Sequence, residues 1–143
     1  MIKGAIIRGI SAIPIDIEVG VSRGRGLKII GLPVHAVREA DKRVSQAIPA
    51  AGFVWPDQSL IVNLSPAALE KEEAGLDLAI ALAILEATGQ VRVTKAAVPI
   101  FAFGELGGMV VNLPKGVVPG TVGGPRQEEP RFRRFSPPMP RRV

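Results

Sequence analysis

The chain has 143 residues, a net charge of +5 and a 47% hydrophobic share, which suits one domain with a buried core. It has no cysteine and a single histidine, His35, so a disulfide framework and a thiolate metal site are excluded, and zinc chemistry or a histidine triad has almost no residues to draw on. Residues 120–143 carry six arginines and two glutamates, which leaves twelve basic and eleven acidic residues in 1–119, a net of +1; the basic character belongs to the tail.

The start MIKGAIIRGI has no sustained apolar segment of signal-peptide length. No uncharged run approaches the roughly 18 residues of a membrane span. With the missing cysteines, these features predict a soluble, cytoplasmic chain without membrane contact.

GAIIRGI and PIDIEVGV read as the first two strands. In the second, Ile15, Ile17, Val19 and Val21 alternate with Asp16, Glu18 and Gly20, the period of a sheet with one wet face. SAIP between them reads as a turn, so an antiparallel hairpin is expected. SRGRG, Ser22–Gly26, is a connector, and LKIIGLP a third strand stopped by Gly31 and Pro33. A helix is expected from about Val34 to Ala51, with Val37, Val44, Ile48 and Ala51 on one face and Arg38, Lys42 and Ser45 turned away. His35 decorates its start. Pro49 in its last turn removes a backbone donor and predicts a kink or an early end.

GFVWP is a loop whose Phe53 and Trp55 cover the core edge, and SLIVNL is a fourth strand. Ser65 before Pro66 has the form of a helix N-cap with proline at the first helical position. A second main helix is expected from about Asp77 to Ala87, ended by Gly89. PIFAFGEL and GMVVNL suit a final hairpin. The order of elements indicates an α/β or α+β sandwich of a few strands and two main helices, residues 1–119. From residue 120 the periodicity stops in a segment dense in Pro, Gly and Arg, expected to be disordered.

Three constellations invite a chemical reading. Ser65 and Lys71 suggest a serine–lysine dyad, but six residues along a helix turn through roughly 240°, so the side chains point apart. Ser65 is then a helix start and Lys71 a solvated charge. Asp77, at the front of an apolar run, suits a helix start that accepts free N–H groups and complements the helix dipole; no second carboxylate at metal-binding spacing accompanies it. The acids of Glu70–Glu73 read as a solvated face. Arg23 and Arg25 of RGRG are the best anion contacts in the body, with Arg38 beside them as a weaker candidate for a nucleic-acid backbone. The chain contains neither G-x-G-x-x-G at RGRG nor G-x-x-x-x-G-K-[ST] anywhere. No catalytic or metal-ligating residue is therefore assigned.

Taken in order, VSRGRGLKIIGLPVHAVREADKRV, GFVWPDQSLIVNLSPAALEKE, GLDLAIALAIL and FGEL resemble the amino-terminal domain of the magnesium-chelatase-like ComM/YifB family of bacterial AAA+ ATPases, over about Gly4 to Leu106. The resemblance implies a ribosomal S5 domain 2-like fold, related to the proteolytic domain of Lon, with a mixed sheet of about four to six strands on two main helices. Lon-type proteases keep a serine at the entry to the helix corresponding to Asp77–Ala87; here that entry is EEAGLDLA, so peptidase activity is not expected. ATP and Mg2+ belong to a following AAA+ module in the family, and this chain is expected to hold no cofactor itself. The implied partners are DNA, the AAA+ module and further copies of the chain, because family members act as hexameric motors on DNA during natural transformation. After GEL the family's turn aspartate is missing, and after Pro119 the similarity ends. The expectation is a non-catalytic accessory domain from a truncated or frame-shifted gene. The alternatives are a Lon-like serine hydrolase and a free-standing nucleic-acid-binding module.

Overall fold

A computed structural model describes residues 2–8, 11–66, 74–92, 100–107 and 110–112. Strands β1 (Ile2–Arg8) and β2 (Ser11–Ser22) form the expected antiparallel hairpin, with Lys3 opposite Asp16 and Arg8 opposite Ser11. SAIP is therefore the start of β2 and not a turn. Ala12 and Ile13 extend the ladder against Ile7 and Ile6, and only residues 9 and 10 separate the strands. Pro14 is tolerated inside β2 because the ladder to the strand on the other side begins only at Asp16, so its missing N–H breaks no bond there.

Strand β3 (Gly26–Ile30) leads through Gly31 into helix α1 (Val34–Ala50), which returns the chain to β4 (Ser59–Ser65), parallel to β3. Gly31 has φ +100, and a Cβ there would come within 2.5 Å of the Leu64 carbonyl, so the stop read from the sequence is a steric requirement. Pro49 does not end the helix early. It falls in the last turn, one residue before the end, and Ala51 and Gly52 close the terminus by donating to the Ala47 and Pro49 carbonyls.

A 3-10 turn at Ala74–Leu76 opens helix α2 (Asp77–Ala87), followed by Thr88 and by Gly89 at φ +75. Strand β5 (Ile100–Phe101) pairs in parallel with β1, while β6 (Glu105–Gly107) and β7 (Val110–Asn112) form a separate antiparallel pair. The expected last hairpin is thus divided: its first residues join the main sheet and only its end forms the hairpin. The main sheet is mixed, in the order β3-β4-β2-β1-β5. This is the expected mixed α/β (α+β) architecture, five strands in one sheet with two main helices.

The helices share one side of the sheet. Ile15 and Ile17 of β2, Leu60, Val62 and Leu64 of β4, and Ile29 of β3 meet Ala40, Val44, Ala47 and Ile48 of α1 and most of α2. Asp16, Glu18, Ile61 and Asn63 point the other way and are exposed, as the alternation predicts. Burial fades along β2, so that Val19 is half-buried and Val21 exposed. Helix α2 is apolar nearly all round, with Ala79, Ile80, Ala81, Ala83, Ile84 and Leu85 buried, as expected of a helix enclosed by sheet and helix together. Phe53 and Trp55 pack against the core as anticipated. Their loop is fixed by Gln90, whose carboxamide accepts from the Val54 N–H at 2.9 Å and donates to the Val54 carbonyl at 2.8 Å.

Candidate functional site at the start of the second helix

Asp77 is the one polar or charged residue among those described that is buried, at 1% exposure. A carboxylate in that position needs partners, because stripping water from an unpaired charge is prohibitively costly. The partners come from two distant segments. Arg43 of α1 donates through Nε to Asp77 Oδ2 at 2.5 Å and through Nη2 to Oδ1 at 3.3 Å, a two-point pairing of planar groups. The backbone N–H of Leu106 in β6 donates to Asp77 Oδ2 at 3.3 Å. Arg43 also faces Glu39, one turn earlier on α1, at 3.5 Å.

The charges respond accordingly. Burial pushes the Asp77 carboxyl above its ordinary value, against the opposing pull of Arg43 and the Leu106 N–H, with Glu105 adding a small rise. Arg43 is held more firmly protonated, first by its hydrogen bond to Asp77.

Asp77 therefore has a structural role, but not the one expected of it. The N-cap of α2 is Leu76, with no side-chain cap hydrogen bond, and Asp77 is the first helical residue. Its carboxylate turns to α1 and β6 instead of to free N–H groups of its own helix. It remains in the first turn, where it complements the helix dipole. The partner escapes sequence reasoning because Arg43 lies 34 residues away. One signal is present: Arg43 follows Ala40 by three residues and precedes Ala47 by four, which puts it on the buried stripe of α1.

The backbone around the pair is equally constrained. Leu78 N–H donates to the Gly104 carbonyl at 3.1 Å, and Gly104 N–H to the Gly75 carbonyl at 2.9 Å. A Cβ on Gly75 would lie 2.5 Å from Phe103 Cε2, so only glycine lets the two segments approach this closely.

The other predicted residues lie elsewhere. Ser65 is the last residue of β4, exposed and opposite Asp16. The helix expected after Pro66, together with Lys71 and Glu70–Glu73, lies outside the described residues, as does the tail. Arg23 and Arg25 are exposed in the turn between β2 and β3, but Arg25 is committed to Asp57, with Nε at 2.6 Å and Nη2 at 3.4 Å from its carboxylate. Arg38 is exposed one turn into α1, which begins beyond the far end of β3.

Among the described residues, Asp77 does not fit a Mg2+ ligand. The buried carboxylate is saturated by a guanidinium and an N–H, and the sequence has no glycine-rich phosphate loop. Among the described residues, no three His, Cys, Asp or Glu side chains group to hold a metal, and no helix is long and apolar enough to cross a membrane.

The chain is similar to known proteins over more than half of its length. Over 88 residues the chain is 43% identical to the uncharacterized protein YifB of Escherichia coli, covering 61% of this chain and 17% of that protein. Over 83 residues it is 43% identical to the competence protein ComM of Haemophilus influenzae, covering 57% of this chain and 16% of that one. An uncharacterized protein of Mycobacterium tuberculosis is 37% identical over 82 residues, 57% of this chain and 16% of its own length. The chain thus spans less than a fifth of the length of these relatives. The family described as subunit ChlI of Mg-chelatase matches residues 17–122, from the middle of β2 past the last hairpin. With that match over more than half its length, the chain belongs to the Mg-chelatase subunit ChlI family, on its ComM/YifB side.

Proposed function

We propose that the chain is a non-catalytic accessory domain of a ComM/YifB-type AAA+ protein, contributing DNA contact or assembly to DNA processing in natural transformation. The observation that carries the non-catalytic part is the state of Asp77. At the helix entry where Lon-type relatives keep a nucleophile, this chain has Gly75-Leu76-Asp77, and both carboxylate oxygens are taken by Arg43 and Leu106. A group so engaged is a poor base or metal ligand, because using it means breaking a two-point ion pair and an N–H bond at a buried carboxylate. The link to DNA rests on the name of the competence relative and on the exposed arginines Arg23 and Arg38.

The test is binding of branched and single-stranded DNA by the full chain across a salt series. Changing Arg23, Arg25 and Arg38 together to Ala is expected to weaken binding. The slope of log affinity against log salt should flatten by about 0.7–0.9 for each phosphate those arginines neutralise. If only replacement of the six tail arginines does so, the body does not bind the DNA. Labelling of Ser65 or Ser22 by a serine-reactive probe, with turnover, would instead favour a hydrolase.

A further inference from the structure

Strands β3 and β4 start side by side, next to the end of β2, and that corner of the sheet is basic. Gly26 of β3, Ser59 of β4 and Ser22 of β2 share one row of the ladder, and Lys28, Ile61 and Gly20 share the next row on the same face. This is the face without helices: Leu27, Ile29, Leu60 and Val62 turn to the core, while Lys28, Ile61, Gly20 and Ser22 are exposed. The turn Ser22–Gly26 lies against it, since a Cβ on Gly24 would come 3.5 Å from Ser59 Cβ. Arg23 and Arg25 are thereby held at the edge of the face, and Lys28 stands two residues past Gly26, about 7 Å along β3.

The strip between these cations is bare. A Cβ on Gly26 would meet nothing within 4 Å, and one on Gly20 only the Ile61 carbonyl oxygen at 3.9 Å. Neither row holds an aromatic side chain on which a base could stack. What the corner offers is phosphate contact: three cations, with the Ser22 and Ser59 hydroxyls as further donors. The acids of the face, Asp16 and Glu18, lie toward the other end of β2, and Asp16 is paired with Lys3 at 2.7 Å. Arg38 is beyond the far end of β3 and does not share this corner.

We infer that this corner binds the phosphodiester backbone of DNA through Arg23, Arg25 and Lys28, with Asp57 as an internal occupant that phosphate displaces from Arg25. The inference rests on the DNA-contact reading and gives it a place. Asp57, two residues before β4, takes the Arg25 guanidinium as a phosphate would, one oxygen on Nε at 2.6 Å and the other on Nη2 at 3.4 Å. Both side chains are largely exposed, so the pair holds Arg25 in place but yields readily to a competing anion. Among the described residues, Arg23 and Lys28 have no ion-pair partner. Three cations against one carboxylate leave the corner positive, and its charge is largest when Asp57 is neutralised.

The full 143-residue chain, titrated with a single-stranded oligodeoxythymidylate across a salt series, tests it. Lys28→Ala is expected to weaken binding about threefold or more at low salt and to flatten the slope of log affinity against log salt by about 0.7, the share of one phosphate. Arg38→Ala should change affinity by less than about twofold, and Asp57→Asn should tighten binding by about threefold or more. Acetylation of lysines gives a local readout that the tail does not mask: the oligonucleotide should slow modification of Lys28 and leave Lys42 of α1 unchanged. If Lys28→Ala and Asp57→Asn bind as the unaltered chain does and Lys28 stays unprotected, this site is overturned, while an effect of Arg38 or of the tail arginines keeps the DNA reading. Weaker binding by Asp57→Asn would overturn the displacement of Asp57. No binding at low salt would overturn both the site and the reading it rests on.

Discussion

Two arginine–aspartate pairs in this domain have almost the same geometry and opposite surroundings. Arg25 meets Asp57 at 2.6 and 3.4 Å with side chains 83% and 75% exposed, while Arg43 meets Asp77 at 2.5 and 3.3 Å with 24% and 2%. In water the first pair gains little, because solvent already serves each ion and two long side chains must be held still. In the second, neither the carboxylate nor the Leu106 N–H has water to turn to, so a missing partner leaves a stranded group. Distance alone does not rank ion pairs; the consequence of breaking them does.

The largest expected effect follows from breaking the buried pair on one side. Arg43→Ala should lower unfolding free energy by about 3 kcal/mol, since it strands the buried Asp77 carboxylate, and Asp77→Ala by a little less because the guanidinium left behind reaches partly to solvent and keeps Glu39. Urea midpoints with unchanged slopes measure this; losses under about 1 kcal/mol would place the pair in the same class as Arg25–Asp57. Removing both ions together, as Arg43→Met with Asp77→Leu, should recover most of the loss, since apolar replacement of a buried pair is often neutral. A double variant as unstable as the sum of the single ones would argue that the ion pair itself carries the stability.

Next comes Gln90→Ala, which removes both bonds to the Val54 backbone and should cost about 1 kcal/mol by thermal or urea unfolding. Arg25→Ala or Asp57→Ala should stay within about 0.5 kcal/mol, and the difference should vanish in about 1 M salt, where screening acts over about 3 Å.

The smallest effect is that of pH on the buried pair. Asp77 is raised on folding, mainly by burial, so its contribution is full below its unfolded-state value and is lost as pH rises through its folded-state value. Acidification from about pH 7 into the carboxylate range should therefore draw no loss from this group. The gap in urea midpoint between the unaltered chain and Asp77→Asn should be no smaller at about pH 4 than at about pH 7. A gap that closes on acidification would mean that folding lowers the Asp77 value instead of raising it.

Much of the fold is legible in the sequence because its cause is local. The alternation Ile15, Ile17, Val19 across Asp16 and Glu18 marks β2, and the spacing around Val44 and Ile48 marks α1, since side-chain direction repeats with the backbone. Gly31 and Gly89 stop their elements through positive φ, which is also a property of one residue. SAIP reads as a turn in isolation because its place in a ladder depends on residues in β1, not on its own composition. Asp77 is legible as a structural residue, yet neither its partner nor its role follows from its sequence neighbours.

The sequence by itself determined the order of strands and helices, the absence of a phosphate loop and the family pattern from RGRG to FGEL. Those features reside in single residues or short periods. Only the tertiary structure decided that Arg25 is spent on Asp57, that the segment after residue 99 is divided between two sheets, and that Asp77 joins α1, α2 and β6. Each of these depends on which buried groups the packing leaves facing one another, and no local spacing encodes a contact 29 or 34 residues away.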